Sequence, residues 1–348
     1  MSSAIKIFVP AIISFICGML MTPILTHYFY KYKLWRKTSR NEVAPDENFR
    51  KINGKEELST PRTGGMIVWM SVIFTIFILI ILSFFIDKEI SDRLNFLSRS
   101  ETILPFFALI FASMFGLLDD FIQIYGFKNL TGDPIILRYI KIGTILLIAF
   151  IFAWWFYFKL GMTSVYIPFT GPLFLGILFI PFFIMVMLAV FSSSVIDGLD
   201  GLSGGVLASI FVAYTVIAFF NGQVDLAAFC AVVVSGILAF LWFNIPPARF
   251  YMGESGIIGL TVTISIIAFL TNTVLLLPVI AFPLFITSVS VIVQIISNKL
   301  LKGKKIFLVA PLHHHFEALG WPKYKVTMRY WIISIITSII GVVLAILQ

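Results

Sequence analysis

The sequence predicts an all-α, polytopic membrane protein with about ten transmembrane helices. Three observations lead there. Of 348 residues, 59% are hydrophobic and only 12% are charged, against about 25% charged residues in an ordinary soluble domain. The mean hydropathy is +1.02. Uncharged blocks recur along the whole chain, many near the ~20 residues that a helix needs to cross a bilayer core. No soluble fold of this length has interior enough for so much apolar surface. A soluble enzyme, a disordered chain and a disulfide scaffold are therefore excluded. Cys17 and Cys230 both lie in apolar runs and read as small packed hydrophobes.

The blocks run 7–30, 66–86, 103–118, 142–158, 160–196, 201–224, 226–248, 255–298 and 330–348. The first is long, is preceded only by Lys6, and lacks a small-x-small cleavage site; it reads as a retained span. Segment 103–118 is short and must borrow its flanks. Block 160–196 holds one span, at about 173–192, after a loop containing Gly, Pro and Thr. Block 255–298 is long enough for two spans, with a polar turn at Thr271-Asn272-Thr273. Pro10, Pro23, Pro181, Pro278 and Pro283 are tolerated inside membrane helices. One integral membrane domain is expected over 1–348, with both termini on one side.

Charge orients the spans. The loops 31–65, 119–141, 191–201, 245–256 and 298–329 hold 20 of the 25 Lys and Arg residues. By the positive-inside rule these loops are cytoplasmic and the termini lie on the outer side, periplasmic or extracellular. The net charge of +8 then belongs to the cytoplasmic surface. It sets topology and meets anionic membrane lipids; nucleic acid is not called for.

Acids beside apolar helices are costly unless solvated, paired or bound to a cation. Those on the cytoplasmic side fall in short motifs. Asp119-Asp120 ends the third span, where the helix dipole opposes negative charge and asks for a cation. Asp197 and Asp200 stand three apart among Gly198, Gly201, Gly204 and Gly205, a pattern suited to a phosphate-and-metal site because glycine lets backbone amides approach a ligand. Glu254 opens another apolar run. His313-His314-His315 precede Phe316-Glu317; imidazole can bind phosphate or shuttle protons, while three consecutive residues on a helix cannot all face one zinc. Hard carboxylate oxygens suit Mg²⁺ shared with substrate phosphates. Together these motifs point to phosphoryl transfer between a soluble nucleotide and a lipid phosphate at the cytoplasmic face. A transporter would need ionisable groups near the bilayer midplane, and the spans carry none there.

At these motifs the chain resembles the polyprenyl-phosphate N-acetylhexosamine-1-phosphate transferases. Within them it is similar to the phospho-N-acetylmuramoyl-pentapeptide transferase branch. The most specific match runs from Gly303-Lys304-Lys305-Ile306-Phe307 through Pro311-Leu312-His313-His314-His315-Phe316-Glu317 and Gly320-Trp321-Pro322 to Arg329-Tyr330-Trp331. Thr60-Pro61-Arg62-Thr63-Gly64-Gly65, Gly116-Leu117-Leu118-Asp119-Asp120, Asp197-Gly198-Leu199-Asp200-Gly201-Leu202 and the stretch from Asn244 to Gly253 support it. The resemblance implies transfer of phospho-MurNAc-pentapeptide from UDP-MurNAc-pentapeptide to undecaprenyl phosphate, giving lipid I and UMP, in a bacterial inner membrane. A related transferase acting on a GlcNAc-type sugar nucleotide is the alternative. The resemblance also implies Mg²⁺ and a homodimer. Asp119 and Asp120 would handle Mg²⁺ and the lipid phosphate, with Glu254 as the third metal carboxylate. Asp197, Asp200 and Asn244 would line the nucleotide pocket, with Tyr251 stacked on uracil and Gln294 a further pocket residue. His313 and His314 would contact the sugar-phosphate end, and Lys55 and Thr60 would close the mouth. The chain departs from the branch at Glu254, where Asp is usual, at Gln123, where Lys is usual, and at Phe191 and Ser194, where Asn is usual. Lys128 and Lys141 are the candidates to replace the cation missing at Gln123. These departures bear on substrate contacts and on rate.

Overall fold

The computed structural model describes residues 2–37, 58–98, 101–125, 134–300 and 305–348, with the side chains of 2 and 134–138 left outside that description. The helices are α1 (Ser2–Lys31), α2 (Met66–Leu82), α3 (Lys88–Leu94), α4 (Ile103–Tyr125), α5 (Pro134–Phe158), α6 (Phe179–Ser192), α7 (Leu202–Phe220), α8 (Val224–Asn244), α9 (Gly253–Leu270), α10 (Leu277–Ile280), α11 (Phe282–Leu300), α12 (Leu312–Ala318) and α13 (Lys323–Ile346). Among the described residues nine helical segments are long and apolar enough to cross a membrane, and α2, at 17 residues, is a shorter apolar helix beside them. The nine blocks, one of them split, thus become ten apolar helices among the described residues.

Lateral exposure follows from lipid as solvent. On α1, Phe8, Ile12, Ile16, Leu20 and Ile24 are all exposed, while Ile7, Ala11, Ser14 and Cys17 on the opposite side are buried. In water such a stripe would be a liability. Toward hydrocarbon it is the expected outer face. The central helices α8 and α9 are buried almost throughout. Small residues let them approach their neighbours, as is usual where lipid gives no hydrophobic drive between helices. Ser14 of α1 donates to the Val232 carbonyl oxygen on α8 at 2.9 Å, and α4 packs most extensively on α9. Cys17 and Cys230 are buried free thiols, as their apolar runs predicted.

The turn expected at Thr271-Asn272-Thr273 is present: α9 ends at Leu270 and Asn272 takes a positive φ of 57°. Several boundaries differ from the sequence reading. The 119–141 loop is shorter, because α4 continues through Asp119 and Asp120 to Tyr125 and α5 begins at Pro134. The acids do not end the span, since Asp120 finds partners on α9 and Ile124 remains buried beyond it. The 298–329 loop loses three residues at its start and seven at its end to α11 and α13 and contains α12. Glu254 of the 245–256 loop lies in the first turn of α9. Before α6 a two-stranded antiparallel hairpin, β1 (Ser164–Ile167) with β2 (Gly171–Phe174), interrupts an otherwise helical fold.

Both chain ends lie at one end of the bundle. Lys6 pairs with Asp225 at the start of α8, and Tyr166 of the hairpin donates to the Gln348 carbonyl oxygen at 3.3 Å. The motif residues gather at the opposite end.

Candidate active site

The site forms where α4 meets the first turn of α9. The two carboxylate oxygens of Asp120 accept the backbone N–H groups of Glu254 at 3.1 Å and Ser255 at 2.9 Å. These are donors that a helix start otherwise leaves unpaired. Gly253 makes the junction possible. Its φ is +67°, and a Cβ there would overlap the Arg62 carbonyl oxygen and approach Asp120 Oδ2 at 2.7 Å. Asp120 is 1% exposed and Arg62 5% exposed; Arg62 is the nearby cation whose field acts on that carboxylate.

Asp119 and Glu254 converge on one cation. Lys141 of α5 places its Nζ 2.6 Å from Glu254 Oε1 and 3.4 Å from Asp119 Oδ2. Gln123, one turn beyond Asp119 on α4, donates its amide N–H to Asp119 Oδ2 at 2.8 Å. Its oxygen accepts from the Arg36 guanidinium. Lys141 also lies 5.8 Å from the Phe191 ring centroid, over its face. A cavity of about 200 Å³ opens above these groups, lined by Arg36, Arg62, Lys141, Ser194, Asp197 and Glu254, among others. Three cations thus share one small cleft with carboxylates, in surroundings where charge interacts far more strongly than in water.

The loop between α6 and α7 forms the next wall. Asp197 accepts the Gly253 N–H at 3.1 Å and the Ser203 hydroxyl at 2.8 Å. Asp200 accepts the Ala248 N–H at 3.1 Å. The buried amide of Asn244 links two segments, accepting from Gly201 N–H at 2.9 Å and donating to the Phe250 carbonyl oxygen at 2.7 Å. His313 is fully buried. A Cβ on Gly198 would overlap its Nε2 and stand 3.0 Å from His314 Nε2, so the two imidazoles lie directly against the 197–201 loop. α12 is fixed on α11 by the Leu312 N–H, which donates to the Ser290 hydroxyl at 3.0 Å. His314 Nδ1 pairs with Glu317.

The structure therefore gathers Asp119, Asp120, Glu254, Lys141 and Asp197 around one cleft, with His313 and His314 behind Gly198. Asn244 and Asp200 hold adjacent loops. Tyr251 is clamped by its backbone, donating to the Pro61 carbonyl oxygen at 2.7 Å and accepting from Gly64 N–H at 2.9 Å. This puts it next to Thr60. Gln294 has both ends of its amide on the backbone of Phe307, each at 3.0 Å, and so ties down the segment leading into α12. His315 turns away and accepts the Leu308 N–H at 3.1 Å. Lys55 and Lys128 lie outside the described residues. Arg36, Arg62 and Ser203 were not singled out by sequence. Arg62 sits in the Thr60–Gly65 motif, and its neighbours there were the available signal; Arg36 had none beyond its place just after the first span.

Among the described residues, no three His, Cys, Asp or Glu side chains are already closed around a common point. Asp119 and Glu254 nonetheless share a cation, the Lys141 ammonium, and Asp120 neighbours Asp119 on the same helix. An all-oxygen carboxylate set of this kind fits a hard divalent ion.

Glycosyl transferase family 4 matches the chain over residues 102–272. Over nearly the full length the chain is 32% identical, across 335 residues, to the phospho-N-acetylmuramoyl-pentapeptide-transferase of Geobacillus sp. (strain WCH70), covering 95% of each chain. It is 33% identical across 340 residues to the protein of that name from Staphylococcus carnosus, covering 96% of this chain and 98% of that one. With the Bacillus subtilis (strain 168) protein of the same name it shares 31% identity across 336 residues, 95% of each chain.

Proposed function

The chain belongs to the phospho-N-acetylmuramoyl-pentapeptide-transferase family, and from that premise we propose that it transfers phospho-MurNAc-pentapeptide from UDP-MurNAc-pentapeptide to undecaprenyl phosphate. The products are lipid I and UMP, and the setting is peptidoglycan biosynthesis in a bacterial inner membrane, where the protein is multi-pass. The observation that carries this reading is the cleft itself: three cations and a carboxylate cluster, drawn from six separate segments, at one end of an apolar bundle.

Phosphoryl transfer asks an enzyme mainly for positioning and for charge placed where it develops. Mg²⁺ held by Asp119, Asp120 and Glu254 would neutralise the UDP diphosphate and stabilise the leaving UMP. Lys141 spaces Asp119 and Glu254 and presents its ammonium to the same cleft. Asp120 fixes the α9 start against α4, and Asp197 holds the Gly253 amide beside it, so the metal carboxylates are carried on rigid elements. Asp200 and Asn244 shape the nucleotide pocket, Tyr251 stacks on uracil, and His313 and His314 meet the sugar-phosphate end. Lys55 and Thr60 close the mouth. Gln294 supports the pocket by anchoring Phe307. The acceptor phosphate, a dianion near neutral pH, attacks the sugar-linked phosphorus in line and needs no strong base.

An apolar space beside the cleft suits the head-proximal part of the acceptor's prenyl tail. An apolar cavity of about 310 Å³ lies between α6 and α11, lined by Phe182, Val186, Leu284 and Phe285 and reaching Ser192 and Ser193. The next residues, Ser194 and Val195, line the polar cleft. Head and tail spaces are thus adjoining. The excess of Lys and Arg in the loops at this end supports a cytoplasmic site with both termini outside, and a homodimer belongs to the same reading. The test is UMP release by purified protein with Mg²⁺. Release from UDP-MurNAc-pentapeptide only when undecaprenyl phosphate is present is expected. Release from UDP-GlcNAc instead overturns the substrate assignment.

A further inference from the structure

We propose that Arg36 binds a substrate phosphate in this cleft and that Gln123 positions its guanidinium; the proposal rests on the functional reading above.

The chain delivers Arg36 by a fixed route. Just after α1 it turns over Lys33, whose φ is 51°. The Leu34 N–H donates to the Phe29 carbonyl oxygen at 2.9 Å, and the Leu34 carbonyl oxygen accepts the Arg62 N–H at 3.0 Å. Leu34 is buried in the core. Two residues later the side chain of Arg36 is half-buried and joins Arg62 and Lys141 in the wall of the cleft. The segment is therefore tied to the same strand of backbone that carries Arg62.

The side-chain relay has one sensible direction. The Arg36 guanidinium donates to Gln123 Oε1, and Gln123 Nε2 donates to Asp119 Oδ2 at 2.8 Å. A primary amide has one acceptor end and one donor end. Gln123 is thus held between a cation and an anion with its oxygen toward Arg36. A guanidinium is a rigid planar fork of five N–H donors, so the bond to Gln123 Oε1 restrains where that fork sits in the cleft. A planar, oriented fork is the geometry that recognises phosphate oxygens in pairs. Purely structural arginines do not require a cleft that also holds Lys141, Arg62 and a carboxylate set. The ligand class is a phosphate group, either the monoester of the prenyl acceptor or the diphosphate of the sugar nucleotide.

The experiment relocates the charge. Affinities for UDP and for undecaprenyl phosphate in detergent are measured separately, by direct binding with Mg²⁺, for wild type, R36Q, R36K and R36Q/Q123K. Arg36→Gln is expected to weaken one of the two ligands at least about tenfold. The double variant, which returns a cation next to Asp119, is expected to regain most of that loss, and Arg36→Lys to fall between. Whichever ligand weakens identifies the phosphate. If R36Q binds both ligands as the wild type does, or if R36Q/Q123K is no better than R36Q, the proposal is overturned. Should R36Q not fold, R36K carries the test, and unchanged affinity for both ligands in R36K overturns it. Wild-type turnover, assayed alongside, judges the functional reading on its own.

Discussion

Replacing Lys141 by Met removes the ammonium while keeping most of the side chain's apolar bulk. In the structure that ammonium stands 2.6 Å from Glu254 and 3.4 Å from Asp119, and the side chains of the three residues are only 20%, 17% and 11% exposed. At an effective dielectric of about 20, each contact is worth about 5–6 kcal/mol of attraction before desolvation is counted. Much of that is offset by burying the ammonium. What remains when one partner of a buried set is deleted is typically about 3–5 kcal/mol, because the other charges lose that counter-ion. Here two carboxylates would be left facing each other. Lys141→Met is therefore expected to lower the midpoint of thermal unfolding in detergent without added metal, and to cut UMP release by about 10²–10³-fold, the usual cost of removing one electrostatic contact at a transition state. Adding Glu254→Gln should relieve the repulsion. A double-mutant cycle then gives a coupling of about 1–3 kcal/mol, within the range for residues in direct contact. Lys141→Met with a wild-type midpoint, and a Glu254→Gln increment identical in both backgrounds, would refute the bridging role of the ammonium.

Four other substitutions separate roles that look alike in sequence. Asp120→Asn gives one oxygen and one NH₂ group where two oxygens accept the Glu254 and Ser255 amides; one buried N–H loses its acceptor, at about 1–3 kcal/mol, read as a lower unfolding midpoint together with lost turnover. Gln294→Leu breaks both hydrogen bonds to Phe307, destabilising that anchor by about 1–3 kcal/mol, and limited proteolysis should cut faster between 305 and 311. His313→Ala should lower UMP release by about 10²-fold. His315→Ala, which gives up the Leu308 hydrogen bond and ring contacts with Phe307 and Phe316 away from the cleft, should hold turnover within about twofold, a change that corresponds to about 0.5 kcal/mol or less.

Much of the architecture was legible because lipid imposes few choices. A stretch of the right length without charge has to become a helix, since its backbone groups can find partners nowhere else. The turn at Thr271–Thr273 could be seen because three polar residues interrupt a block too long for one span. The one-sided gathering of acids and histidines was equally visible, and the structure brings Asp119, Glu254, Asp197, His313 and His314 to one end. The hairpin at Ser164–Ile167 and Gly171–Phe174 was not legible, because Gly, Pro and Thr over a short stretch signal a loop without saying how it pairs.

The ends of helices were the weak point, and for a definite reason. Asp119 and Asp120 look like a stop because an acid at a helix C-terminus opposes the dipole. They sit inside α4 because amides at the start of α9, far away in sequence, accept the role that water would have had. The same holds for the cations. Arg62 and Arg36 are ordinary basic residues, and Lys141 one candidate beside Lys128, until three separate segments carry them into one cleft. Gln294 and Asn244 read as pocket residues, and only the tertiary structure shows that their amides bond to backbone groups. The sequence by itself determined the solvent, the helices and the inventory of chemistry, since these depend on local composition. Only the tertiary structure decided which carboxylate shares which cation, because Lys141 meets Glu254 from a distant part of the chain through the packing of α4, α5 and α9.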